Sequence, residues 1–307
     1  MPKENTLIIE HLSKTYDGKH FANQDISLAI QAGRVTALLG HNGAGKSTLL
    51  NQIIGFTAPT SGDVCYRGQS LIAHRPKARQ LISFMSQQFA PIDLLTIRQS
   101  LDIIGRIRGL TATAVEQQTQ HLIDKLDIAD HANKKGQSLS GGLKRLTSFA
   151  MAMVGASEII LLDEPTNDVD PMRREKQWQL LRELAEHGHI IVIVTHNLLE
   201  VEKYADDYAL FNEGQLVSYG PVQQISQEEK YLITFTVHDD QLKTALASAQ
   251  WLTATQCQQE CLAPDLACKL QELEAWLTGE RISQLQVKPY HATVSDLYRK
   301  EAAQWKA

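Results

Sequence analysis

Nine consecutive residues, 40 to 48, constrain this 307-residue chain more than any other stretch. They read GHNGAGKST, which places Gly40, Gly45, Lys46 and Ser47 in the spacing typical of a phosphate-binding loop. Glycines let successive backbone N–H groups turn towards phosphate oxygens, the lysine adds a positive charge, and the serine hydroxyl can ligate magnesium. The stretch therefore predicts a cradle for a triphosphate.

The flanks of this loop agree with that interpretation. Residues 35–39 form a short apolar run suited to a buried strand, and residues 47–54 have the pattern of a helix. The helix N-terminus would then add its partial positive charge at the phosphates. Taken without its flanks, the loop could also be an ordinary glycine-rich turn.

Composition excludes several classes of protein. The chain has 30 basic and 35 acidic residues, a formal net charge of −5, which does not suit a protein that mainly coats nucleic acid. It has no run of about eighteen apolar residues and no secretory pattern at its start. We therefore expect a cytosolic protein that does not cross a membrane by itself.

The four cysteines include no C-x-x-C pair and read as reduced thiols. A metal site made of Cys257, Cys261, Cys268 and His238 is the less favoured alternative, because their spacing fits no familiar pattern.

Strand and helix patterns alternate along most of the chain. Apolar runs predict strands at 7–12, 26–30, 81–85 and 190–196, and residues 97–128 read as an inserted helical section. This alternation predicts a mainly parallel sheet with helices on its faces, preceded by a small β layer.

Another apolar run starts at Ile159 and ends in two adjacent carboxylates, Asp163 and Glu164. A buried strand rarely ends in two acids without a cation or a proton transfer nearby. Asp163 suits a magnesium shell, and Glu164 suits deprotonating an attacking water. His196 ends the next run and could donate to a γ-phosphate, although a structural histidine is the alternative.

Two weaker signals complete the pattern. Ser140, Gly141 and Gly142 precede a predicted helix, where they could form a second anion site or a simple N-cap. Tyr16 follows the first predicted strand and could stack on a base, or be an ordinary strand-end tyrosine.

Seven separated features thus occur in one order along the chain. They are Tyr16, GHNGAGKST, Gln87, LSGG at 139–142, ILLDEP at 160–165, Asp170 and His196. In this order and spacing they resemble the ATP-binding cassette of ABC transporters over about residues 5–221. The resemblance implies an α/β fold, namely a P-loop NTPase cassette with an antiparallel β subdomain and a helical subdomain at about 88–150.

The resemblance also implies a role for each matching residue. ATP would be bound by Tyr16, Gly40, His41, Asn42, Gly43, Ala44, Gly45, Lys46, Ser47 and Thr48. The catalytic residues would be Glu164, His196 and Gln87. The residues that bind Mg2+ would be Ser47, Gln87 and Asp163. Leu139, Ser140, Gly141 and Gly142 would form the signature that closes over ATP bound to a second cassette, and Asp170 would bridge the two.

One position departs from the family pattern. Leu143 stands where glutamine commonly follows the signature, so an amide that can form hydrogen bonds is lost. Ser140 and the two glycines remain, and we expect hydrolysis to survive.

Composition shifts near residue 228, which predicts a cassette domain at 1–227 and a small C-terminal α/β appendage at 228–307. Alternating patterns predict strands at 231–237 and 282–287, and helices are expected at 266–277 and after a Thr293–Asp296 capping box.

The stretch 289–298 is similar to the ending of cassettes that serve ABC-2 type exporters. The resemblance implies an ATP-hydrolysing subunit that works with a separate ABC-2 type permease and a second cassette, as a homodimer. It would export a small molecule, drug, lipid or polysaccharide from the cytoplasmic face of the cell membrane, with no nucleic-acid partner. Two alternatives stay open: a soluble ABC-type ATPase acting on ribosomes or DNA, and a regulatory or resistance module.

Overall fold

A computed structural model describes residues 5–88, 93–227, 229–246, 250–262, 265–291 and 293–304 of the chain. The chain divides into two compact units, Met1–Pro221 and Val222–Ala307. This division falls close to the predicted boundary after residue 227, which stays a prediction.

The first unit contains both strands and helices. Its strands are β1 (Thr6–Thr15), β2 (Phe21–Gln31), β3 (Val35–Leu39), β4 (Ser61–Tyr66), β5 (Gln69–Ser70), β6 (Ile82–Met85), β7 (Ile159–Asp163), β8 (Ile190–Val194), β9 (Asp207–Asn212) and β10 (Gln215–Pro221). Its helices are α1 (Lys46–Ile53), α2 (Arg75–Leu81), α3 (Ile97–Ile107), α4 (Ala112–Lys125), α5 (Gly141–Met153), α6 (Pro171–Glu186) and α7 (Leu198–Tyr204). Two short 3-10 helices, Ala129–His131 and Gly136–Ser138, lie between α4 and α5.

A mainly parallel sheet with the order β10-β9-β3-β8-β7-β6 forms the centre of this unit. Strands β3, β6, β7, β8 and β9 are parallel to their neighbours, and only β10 pairs with β9 in the antiparallel sense. Every residue of β3, β7 and β8 is buried, as expected for strands covered on both faces. Because the parallel strands share a direction, their carboxyl ends meet at one edge of the sheet.

A second, antiparallel sheet with the order β2-β1-β4-β5 supplies the β layer. Apolar residues of both sheets, such as Leu7, Ile26, Leu38 and Leu161, belong to one buried cluster. The shared core fixes the β layer beside the strand that leads into the phosphate loop.

The predicted helical section folds as α3, α4 and α5. Helix α3 begins at a capping box, in which Thr96 accepts from the Gln99 backbone N–H at 3.1 Å and the Gln99 side chain accepts from the Thr96 N–H at 2.9 Å. No helix within the described ranges combines the length and apolar character needed to span a bilayer.

The second unit is small and contains both strands and helices. Its strands are β11 (Glu229–Val237), β12 (Gln250–Trp251), β13 (Gln256–Leu262) and β14 (Ile282–His291). Its helices are α8 (Val222–Gln227), α9 (Asp240–Ala245), α10 (Leu266–Thr278) and α11 (Val294–Gln304). The strands pair antiparallel in the order β12-β13-β11-β14.

The core of this unit accounts for two of the cysteines. Cys257 and Cys261 are buried on one side of β13 with Ile233 and Phe235, and Cys268 is exposed. Within the described ranges, no group of three candidate ligands could hold a metal ion. The Thr293 backbone N–H donates to Asp296 Oδ2 at 3.0 Å, and the Asp296 backbone N–H donates to Thr293 Oγ1 at 3.1 Å, which is the geometry of a capping box.

Candidate active site

A cleft of about 330 Å3 lies at the carboxyl edge of the parallel sheet. The strands β3, β6, β7 and β8 end there, and each is followed by a polar segment. The cleft brings together the predicted phosphate loop with Gln87, Asp163, Glu164 and His196.

The phosphate loop connects β3 to α1 through backbone conformations that favour glycine. Gly40 and Gly45 have φ angles of 145° and 99°. A Cβ atom at Gly40 would lie 2.3 Å from the carbonyl oxygen of Phe211, and one at Gly45 would lie 2.3 Å from that of Ala22. Strands β9 and β2 therefore approach the loop so closely that neither position can carry a side chain.

Lys46 is buried at the start of α1, and its ammonium group lies inside the loop. Nζ donates to the carbonyl oxygens of Gly40 at 2.7 Å and His41 at 2.9 Å. Burial lowers the pKa of Lys46, and the charges of Glu164 and Asp163 oppose that shift. The ammonium group is thus held within a ring of backbone groups, where it can contact phosphate oxygens.

Two buried amides that the sequence analysis missed support the loop from behind. The Asn23 Nδ2 group donates to the carbonyl of Gly45 at 3.1 Å, and Gln52 Nε2 donates to Asn23 Oδ1 at 2.7 Å. Both side chains are fully buried. No sequence pattern identifies these two residues, because Asn23 lies on β2, 22 residues before Gly45 in the chain.

The adjacent carboxylates Asp163 and Glu164 end β7 in the cleft, and both residues are buried. Asp163 accepts a hydrogen bond from the Ser47 hydroxyl, and burial raises its pKa. Burial, and next the charge of Asp163, raise the pKa of Glu164 to about 7. Glu164 has a φ angle of 51°, a left-handed conformation that costs energy in a residue with a side chain.

His196 lies next to Glu164 in the segment after β8. Its Nε2 atom is 2.9 Å from Glu164 Oε1. A backbone hydrogen bond from His196 also lowers the pKa of Glu164, which opposes the rise that burial causes. Burial and the charge of Lys46 lower the pKa of His196, which favours the neutral form of the ring.

Gln87 is exposed at the cleft, and its backbone is fixed from α5. The Arg145 guanidinium donates to the Gln87 carbonyl through Nη1 at 2.6 Å. Arg145 is itself buried, although it carries a charge. It is a third residue that the sequence analysis missed.

The signature residues begin α5 but do not line the cleft of their own chain. Ser140 is the N-cap of α5 and accepts from the Leu143 N–H at 3.3 Å, and Leu139 is buried. A Cβ at Gly142 would lie 2.4 Å from the Asp168 carbonyl oxygen, whereas one at Gly141 meets nothing within 4 Å. Gly141 therefore presents an open backbone surface.

Tyr16 and Asp170 also lie outside the lining of the cleft. The Tyr16 side chain is exposed, and Lys14 Nζ lies 4.8 Å from its ring centroid. Asp170 is the N-cap of α6, where it accepts from the Arg173 N–H and from Arg173 Nη1, each at 3.1 Å. Their predicted roles stay predictions.

This fold and this cleft define a nucleotide-binding domain built on a phosphate loop. Residues 23–167 match the family model described as ABC transporter. The chain therefore carries an ATP-binding cassette of the ABC transporter family, a family of ATP-hydrolysing domains, with the predicted α/β fold.

Two curated proteins illustrate the similarity. The human ATP-binding cassette sub-family A member 13 is 36% identical over 212 residues, which cover 68% of this chain and 4% of that protein. The bovine retinal-specific phospholipid-transporting ATPase is 31% identical over 238 residues, which cover 76% of this chain and 10% of that protein. The chain thus spans a tenth or less of the length of these two relatives.

A solved structure agrees with the fold. A dimeric, post-hydrolysis structure of the ATP-binding cassette MJ0796, bound to ADP and Pi, has a TM-score of 0.64 and 27% identity. The match covers 70% of this chain and 98% of that one.

The two signature glycines provide a matched test of the structure. We expect Gly142→Ala to lower the melting temperature, because the new Cβ collides with the Asp168 carbonyl at a cost of about 1–3 kcal/mol. Gly141→Ala should melt like the wild-type chain, because its Cβ enters open space. Calorimetry of both variants measures this, and equal melting temperatures would contradict the placement of Asp168 over Gly142.

Proposed function

We propose that this chain hydrolyses ATP to power export through a separate membrane-spanning chain. The observation that carries the proposal is the buried pair Asp163–Glu164, which faces Lys46 and the phosphate loop in one cleft. Two buried carboxylates beside a buried ammonium group suit a triphosphate, a divalent cation and an activated water.

The residues of the cleft fit ATP and magnesium. Gly40 to Thr48 would hold the phosphates through backbone N–H groups and Lys46, and Tyr16 would stack on the base. The hydrogen-bonded pair Ser47–Asp163, together with Gln87, offers the oxygen ligands that Mg2+ prefers. When bound, the ion would neutralise charge on the phosphate oxygens.

Glu164 is suited to act as the general base. Its raised pKa lies near the pH at which proton transfer is most effective, and its side chain is buried in the cleft beside the phosphate loop. Glu164 can therefore accept a proton from a water held in the cleft. The neutral His196 ring, 2.9 Å away, would direct its N–H towards the γ-phosphate.

A second cassette would complete the site. The signature of this chain does not line its own cleft, and Gly141 exposes open backbone at the N-terminus of α5. Backbone N–H groups at a helix N-terminus bind anions, so this surface suits the phosphates of ATP held by another copy. The dimer of the MJ0796 cassette supports such a pairing.

Membership of the family supports a proposal for the partner and the location. A cassette of this family supplies the motor, and we propose an ABC-2 type permease as the membrane partner, which would hold the cassette at the cytoplasmic face of the cell membrane. The bovine relative is named for phospholipid transport, which supports a lipid or another amphiphile as cargo. No observation favours the alternative of a ribosome- or DNA-associated ATPase.

Glu164→Gln tests the chemistry of the cleft. We expect ATP binding to remain, and turnover to fall by about a hundredfold or more, because an amide cannot accept the proton. The matched control is Glu158→Gln, the same change just before β7, where Glu158 accepts from the Tyr66 hydroxyl at 2.8 Å. Steady-state hydrolysis and calorimetric titration with ATP measure both effects, and unchanged turnover in Glu164→Gln would remove Glu164 from this role.

Purification from native membranes in mild detergent tests the transporter assignment. We expect a protein with several membrane spans to co-purify in a fixed ratio, and mass spectrometry would identify it. Recovery of ribosomes or DNA instead, with the chain in the soluble fraction, would contradict export while leaving the ATPase site in place.

A further inference from the structure

Glu200 in α7 lies outside the cleft, yet its carboxylate accepts hydrogen bonds from four side chains. Thr166 Oγ1 and Trp178 Nε1 donate to Oε2 at 3.0 and 2.9 Å. Arg174 Nη1 and Asn197 Nδ2 donate to Oε1 at 3.2 and 2.8 Å. The side chain is only 12% exposed, so this is a saturated, largely buried anion.

Two of these donors belong to the segments that carry the catalytic groups. Thr166 is two residues after Glu164, and Asn197 directly follows His196. One carboxylate therefore connects the segment after β7 to the segment after β8, close to the 2.9 Å approach of His196 to Glu164.

Helix capping alone does not explain this arrangement. Asn197 is the N-cap of α7 and accepts from the Glu200 N–H at 3.3 Å, so the contact between Asn197 and Glu200 is local. A cap does not require the other three donors. They are Thr166, Arg174 and Trp178, which lie between β7 and the middle of α6. Their convergence on one acceptor indicates a connection between segments.

The strained backbone at Glu164 makes such a connection useful. A left-handed residue with a side chain keeps its conformation only where its surroundings hold it. The next two residues are both anchored, since Gln177 Nε2 donates to the Pro165 carbonyl at 3.1 Å and Thr166 donates to Glu200. Hydrogen bonds to a charged acceptor in a largely buried site are strong enough to provide this support.

We infer that Glu200 is a positioning residue that holds Glu164 and His196 in their relative orientation. The inference rests on the proposed ATPase function. Glu200 is not one of the residues that line the cleft, so we expect its contribution to fall on the chemical step rather than on nucleotide binding.

Thr166→Val and Thr166→Ser form a matched pair for testing this role. Valine keeps the shape of threonine but removes the hydroxyl donor, whereas serine keeps the donor and removes a methyl group. We expect Thr166→Val to lower kcat about tenfold, with KM for ATP within about twofold of wild type. Thr166→Ser should restore kcat to within about twofold of wild type.

Steady-state ATP hydrolysis by the full chain, with melting temperatures for all variants, measures these effects. If Thr166 had only a structural role, kcat would fall together with the melting temperature. The serine variant, which leaves a small cavity, would then lose as much kcat as the valine variant. Wild-type kcat in Thr166→Val, or equal losses in the two variants, would overturn the inference.

Glu200→Gln provides a second measurement on the same network. The glutamine amide keeps the shape of the carboxylate, but its NH2 group adds a hydrogen-bond donor where four donors already converge. We therefore expect kcat to fall at least as far as in Thr166→Val. A fully active Glu200→Gln chain would overturn the inference but leave the proposed ATPase function in place. A wild-type chain that does not hydrolyse ATP would overturn the proposed function itself, and the inference with it.

Discussion

The structure depends on how tightly the backbone packs around the phosphate loop. Strands β9 and β2 bring the carbonyl oxygens of Phe211 and Ala22 to within 2.3 Å of where Cβ atoms would stand at Gly40 and Gly45. Only glycine fits there, and the resulting ring of backbone groups encloses the Lys46 ammonium. The central sheet, the β layer and α1 therefore form one support for the triphosphate cradle.

The same sheet places the acidic half of the site. Because β7 and β8 are parallel neighbours, Asp163, Glu164 and His196 arrive at one edge with the phosphate loop. Burial raises the pKa of Glu164, and its backbone is strained, so the site holds its base in a conformation that the rest of the fold must maintain. Glu200 supplies this support from α7, and Arg145 fixes the Gln87 carbonyl from α5.

Much of the fold and of the cleft could be predicted from sequence, because local patterns define them. Strand β3 was predicted at the residues it occupies, and the ATP-binding cassette fold is confirmed by the comparisons. Asn23, Arg145 and Glu200 could not be found this way, because each acts on a partner 22 to 58 residues distant in the chain. Strand β13 was missed because its sequence, QCQQECL, buries cysteines between polar residues.

Mixing two inactive variants tests directly whether ATP is hydrolysed between two copies of this chain, as we propose. Lys46→Ala disables the cradle, and Gly141→Asp places a carboxylate on the open backbone that would face phosphate. A mixed dimer contains one intact site, so the mixture should recover about a quarter of wild-type hydrolysis. A mixture as inactive as its two components, beside an active wild-type chain, would contradict a site shared between two copies.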